Sequence, residues 1–171
     1  VRELACDHPG VDADNRCSQC RAEVAASVEL NGSTGYYLSL SEALALARTD
    51  AYRGCTLTIL RSSTDAISVN SGSFTLTAAQ GVMLGGKGTL DKDATVTLSG
   101  GSYTNSASIF GPNRIEGGTF YGAVVLQDGS SVSSGSFLGA VTISDTVTVT
   151  GGTFTGDVTI DNGGKLVASA G

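Results

Sequence analysis

The sequence predicts a mostly-β fold, a single-stranded parallel β-helix, or solenoid, of 17-residue coils. Three observations predict it. First, residues recur at one spacing in the C-terminal part. Tyr103, Phe120, Phe137 and Phe154 make one column; Val124, Val141 and Val158 a second; Leu126, Ile143 and Ile160 a third; Leu98, Ile115, Val132, Val149 and Leu166 a fourth. Second, apolar residues alternate within each copy, as in Val124-x-Leu126 and Val141-x-Ile143, which is the period of a strand. Third, Gly-Gly, Asp-Gly and Asn-Gly pairs punctuate the copies and suit tight corners. Seventeen residues are too few for a propeller blade or a helical hairpin and suit one solenoid coil. Coils stack at about 4.8 Å, so equivalent residues form ladders that fill the interior.

The repeat is regular from about residue 98; the first copy is degenerate, with Asn105, Ala107 and Ile109 in its middle positions. The whole of 55–171 reads as β-helix, with earlier strands at 56–60, 67–69, 74–76 and 94–98. Gly72-Ser73-Phe74 echoes the motif, but its distance to the next copy is not a multiple of seventeen. The expectation is that two coils here carry a deletion.

Residues 24–54 read as a hairpin and a helix that caps the solenoid. Val24 to Leu30 is strand-like, and Asn31-Gly32 is a hairpin turn signal. Ser39-Leu40-Ser41-Glu42 is a capping box. Leu40, Ala43, Leu44 and Ala47 then give one apolar helix face. Such a helix is expected to cover the open edge of the solenoid, which otherwise pairs with other chains.

Composition narrows the function classes. The chain has 171 residues and 24 glycines, yet 40% are hydrophobic and only 15% charged, so a core can form. Net charge is −6. That disfavours nucleic acid and anionic membranes, which need basic patches. No apolar run is long enough to span a bilayer. The chain reads as a fragment of a longer polypeptide, starting in mid-phrase and stopping within a repeat.

Residues 1–23 carry the one metal-like constellation. Cys6-Asp7-His8 is followed by Cys17-Ser18-Gln19-Cys20, so three of the four cysteines and the only histidine fall within fifteen residues. Four soft or borderline ligands in two close pairs match a tetrahedral zinc knuckle, with Cys6, His8, Cys17 and Cys20 as ligands of a structural zinc. Two alternatives stay open. Four cysteines could pair as disulfides, with Cys55 completing an even count, or the C-x-x-C pair could be redox-active. Cys55 itself, beside a strand, reads as a buried thiol.

Other polar groups have ordinary readings beside functional ones. Asp128, Asp145 and Asn162 share a column at a coil corner, as a cation or sugar site or as turn formers. Asp12-Ala13-Asp14-Asn15 resembles the start of a calcium loop but lacks its later Gly and Glu, and reads as a turn. Thr142, Thr148, Thr150 and Thr159 hint at ice-binding rows, but Arg114, Val125 and Lys165 break them. Outward Thr is otherwise a good strand former. Tyr36, Tyr37 and Tyr121 are candidate sugar platforms; adjacent strand residues face opposite ways, so one of the first two belongs to the core.

The order of these features resembles surface proteins of Gram-positive gut bacteria. The resemblance rests on Cys6-Asp7-His8 with Cys17 and Cys20, the segment from Tyr36 to Leu44, Thr58-Ile59-Leu60, and the Gly-Gly-Thr-Phe repeat at Gly151 to Phe154. It implies a right-handed, pectin-lyase-like parallel β-helix within a secreted or wall-attached, adhesin-like protein whose partners are host or bacterial glycans or surface proteins. Fold does not carry function. A glycan-active reading needs paired carboxylates. The regular coils hold Arg114, Glu116, Asp128, Asp145, Asp157, Asp161 and Lys165; the earlier part has Asp65, Asp91 and Asp93. Asp91 and Asp93, two apart, could share a face. The expected function is a noncatalytic structural or adhesive segment at the bacterial surface. The alternative is a carbohydrate-binding module or a lyase-like or hydrolase-like β-helix.

Overall fold

The computed structural model describes residues 9–161 and 163–168. It is a parallel β-solenoid of about seven turns with one α-helix. Three sheets wrap the core: a nine-stranded sheet, a six-stranded sheet and a five-stranded sheet. Strands pair in register with the coil before and the coil after. Val124 lies against Val141 and Val141 against Val158, while Leu126, Ile143 and Ile160 follow the same order. Phe120 and Phe137 likewise pair with their seventeenth neighbours. Alternation therefore places each apolar column inward, and Val124, Leu126, Phe137, Val141 and Ile143 are buried.

The aromatic column is a continuous stack. Ring centroids of Tyr103 and Phe120 are 4.7 Å apart, those of Phe120 and Phe137 4.9 Å, and those of Phe137 and Phe154 4.6 Å, with planes within 8° of parallel. Touching carbon atoms prefer about 3.5–4.0 Å, so rings spaced by the coil rise slide past one another into offset stacks. Tyr103 keeps its hydroxyl satisfied by donating to Gly100 O at 3.0 Å. Burial alone holds its phenol well above the ordinary tyrosine range.

Close stacking also fixes the glycine column. A Cβ on Gly139 would stand 2.3 Å from Gly122 O, and one on Gly156 would stand 2.2 Å from Gly139 O. The corner backbones of successive coils touch there, leaving no room for a side chain. Gly139→Ala is expected to cost about 1–3 kcal/mol, the usual range for overpacking; a lowered urea midpoint at unchanged m checks it.

The N-terminal elements follow their local signals. Strands β1 (Ala26–Leu30) and β2 (Ser33–Tyr37) form an antiparallel hairpin. Asn31 and Gly32 turn it at φ of 53° and 78°, the left-handed values of a two-residue hairpin turn. Helix α1 (Leu40–Ala47) starts at Ser39, whose Oγ accepts from Glu42 N–H at 3.2 Å. It buries the four apolar residues expected. Strand β3 (Thr56–Ile59) begins the solenoid and pairs antiparallel with β1.

Edge covering is divided between these elements. The hairpin takes the edge of the nine-stranded sheet, whose order begins β2-β1-β3. Helix α1 packs on β1 and β3. It also faces the strand Ile67–Val69, the edge of the six-stranded sheet, across a cleft of about 420 Å³. Leu40, Leu44 and Arg48 line one side of that cleft, and Asp65, Ala66 and Ser68 the other.

Three expectations need correction. Leu166 does not continue the column of Val149: it lies opposite Val147, and Val149 lies opposite Ala168. Four residues separate Ile160 from Lys165, where two separate Ile143 from Thr146. This longer corner advances the last strand by two residues. Phe74 is not an early member of the aromatic ladder. It pairs with Val96 in the nine-stranded sheet, and Leu84 lies beneath Tyr103. Nor do the early coils carry a deletion. Leu57 pairs with Leu76, nineteen residues on, and Leu76 with Leu98, twenty-two residues on, before the seventeen-residue step to Ile115. The early coils are longer, as their strand Ser73–Ala78 is longer than the strands of the regular coils above it.

Candidate functional site

The N-terminal segment is a small looped unit docked on the first coil. Val11 and Cys17 form an antiparallel bridge, and so do Arg16 and Glu23. Cys17 N–H donates to Ala22 O at 2.8 Å, and Arg21 N–H returns to Cys17 O at 2.9 Å. The turn closes through Arg21 at φ 60°. A five-residue turn of this kind carries both cysteines of the C-x-x-C pair. Cys17 is fully buried and Cys20 exposed.

Docking is polar. Asn15, itself at φ 56°, donates through Nδ2 to Leu60 O at 2.9 Å and accepts from Val24 N–H at 2.8 Å. Glu23 bridges two cations, with Arg16 at 3.2 Å and Arg61 at 2.5 Å. Both pairs are solvent-exposed, so they orient the unit more than they stabilise it.

Of the four proposed ligands, Cys6 and His8 lie outside the described residues. Among the described residues, no three His, Cys, Asp or Glu side chains converge as a metal site. Asp12 belongs to a turn. Its Oδ1 accepts N–H bonds from Asp14 at 3.0 Å and Arg16 at 2.9 Å, and its Oδ2 meets Arg21 at 2.7 Å. The Arg16 N–H bond is the chief reason its carboxyl stays below the usual range. Cys55 is a buried thiol, with burial pushing its pKa up. Beside it, Tyr37 packs on the core, and burial pushes its phenol above the ordinary range.

The carboxylates singled out along the solenoid sit in corners. Asp128 and Asp145 are exposed, at φ of 53° and 60°. Their shared column is a column of turn residues; Asn162 is outside the described residues. Asp91 and Asp93 occupy a turn and not a strand, so the alternation that was to place them on one face does not apply. Asp91 Oδ1 accepts from Lys92 N–H at 2.7 Å, and Ala94 N–H reaches Asp91 O at 3.1 Å.

The outer faces are lined by hydroxyls. On the nine-stranded sheet, Thr56, Thr75, Thr97, Arg114, Ser131 and Thr148 form one outward column. On the six-stranded sheet the column is Ser68, Thr89, Ser108, Val125, Thr142 and Thr159. Arg114 and Val125 interrupt these rows as expected; Lys165 lies opposite Thr146. On the five-stranded sheet, Tyr121 and Leu138 are neighbouring exposed side chains, 50% and 48% accessible.

Sequence reading missed one buried polar pair. Asn113 and Ser130 replace apolar residues in the inward column that contains Val96 and Val147. Asn113 Oδ1 accepts from Val96 N–H at 2.7 Å, while Nδ2 donates to Asp91 O at 2.8 Å and to Phe110 O. The side chain thus ties one coil to the corners of two. Ser130 Oγ is buried without a hydrogen-bond partner among the described residues. Laying the sequence out by coils would have shown an Asn in an apolar column, which is the signal for such a clamp.

Among the described residues, no helix is long and apolar enough to cross a membrane. No family model matches the chain, and neither does any curated protein or solved structure.

Proposed function

We propose that this chain is a noncatalytic structural or adhesive segment of a secreted or cell-wall-attached bacterial surface protein. The observation that carries this reading is the repetition itself. Successive coils repeat the same inward residues at the same register, and vary on faces lined by Thr and Ser. About seven coils at about 4.8 Å make a rod of roughly 34 Å. Such a rod spaces or presents a surface, as solenoids do.

A second reading has one specific support: the two hydroxyl columns have few charges and are regularly spaced, which suits a neutral glycan. A glycan array combined with a reducing-sugar assay tests both. The adhesive reading expects no turnover on any glycan. Turnover abolished by Asp91→Asn or Asp93→Asn overturns it in favour of a glycan-active enzyme. Array binding without turnover supports glycans as partners.

In this proposal Cys6, His8, Cys17 and Cys20 hold one structural zinc ion. The closed turn from Cys17 to Arg21 fits the C-x-x-C half of such a site. A four-ligand site staples a segment too short to fold alone. Elemental analysis is expected to find one zinc per chain, with four thiols on denaturation. Chelation should lower the melting temperature. Metal-free protein with two or no thiols would replace the zinc with disulfides.

A further inference from the structure

We draw no further inference here: the strongest candidate, the exposed apolar patch of Val158, Ile160 and Leu166 on the last coil described, carries nothing because nothing in the structure shows what covers it.

Discussion

Phe137→Ala is expected to destabilise the protein by about 3–5 kcal/mol, the cost of emptying a fully buried aromatic position. Phe137 is 1% exposed and stacks on two rings, Phe120 at 4.9 Å and Phe154 at 4.6 Å. Truncation removes both contacts and opens a void between coils that share a backbone ladder and cannot collapse independently. Phe154→Ala provides the contrast. That ring is half-buried and lies on the last coil described, so its loss should cost less than half as much. Urea unfolding checks both. Each coil depends on its neighbours, so Phe137→Ala should also loosen amide protection in the coils of Phe120 and Phe154. Equal effects from the two variants would mean that burial does not rise from the last coil inward.

Replacing Asn113 by Leu is expected to cost about 2 kcal/mol or more, since each buried polar group left unpaired costs about 1–3 kcal/mol. The variant orphans Val96 N–H and the Phe110 carbonyl, and it leaves the Asp91 carbonyl with Ala94 N–H as its remaining donor. Ser130→Ala, one rung away in the same column, should be close to neutral, because Ser130 Oγ has no partner to lose among the described residues. Chemical denaturation separates the two substitutions. A neutral Asn113→Leu would show that the clamp does not hold the corner from Asp91 to Ala94.

The parts of the fold legible in the sequence were those set by local period or local chemistry. Phe120, Phe137 and Phe154 recur at one spacing, and strand alternation leaves them only the interior. Ser39 and Glu42 mark a helix start through their own hydrogen bond, and Asn31-Gly32 admits few other turns. Legibility failed where corner length matters. A corner can gain two residues without changing the strands beside it. A column counted by a fixed period then slips, as happened to Leu166. Phe74 misled for a related reason: three residues matching a motif say nothing about which sheet they join, and the long early coils put that strand in a different one.

For the candidate site the sequence offers residue types at a spacing, and not their arrangement. Cys17 and Cys20 stand out by their spacing, and a closed turn joins them. Asp91 and Asp93 looked like a pair on a strand, but Ala94 N–H folds back onto Asp91 and makes the segment a turn. Asn113 stayed hidden because its column, with Val96 and Val147, is not among the apolar columns counted from the sequence. Only its place above Val96 makes it an interior residue.

Interstrand nuclear Overhauser effects on isotopically labelled protein test the coil register most directly. Backbone contacts should link Val124 to Val141 and Val141 to Val158, seventeen residues apart. They should then link Val147 to Leu166 and Val149 to Ala168, nineteen apart. Contacts between Val149 and Leu166, or antiparallel contacts among the repeats, would contradict a stack of parallel coils in this register.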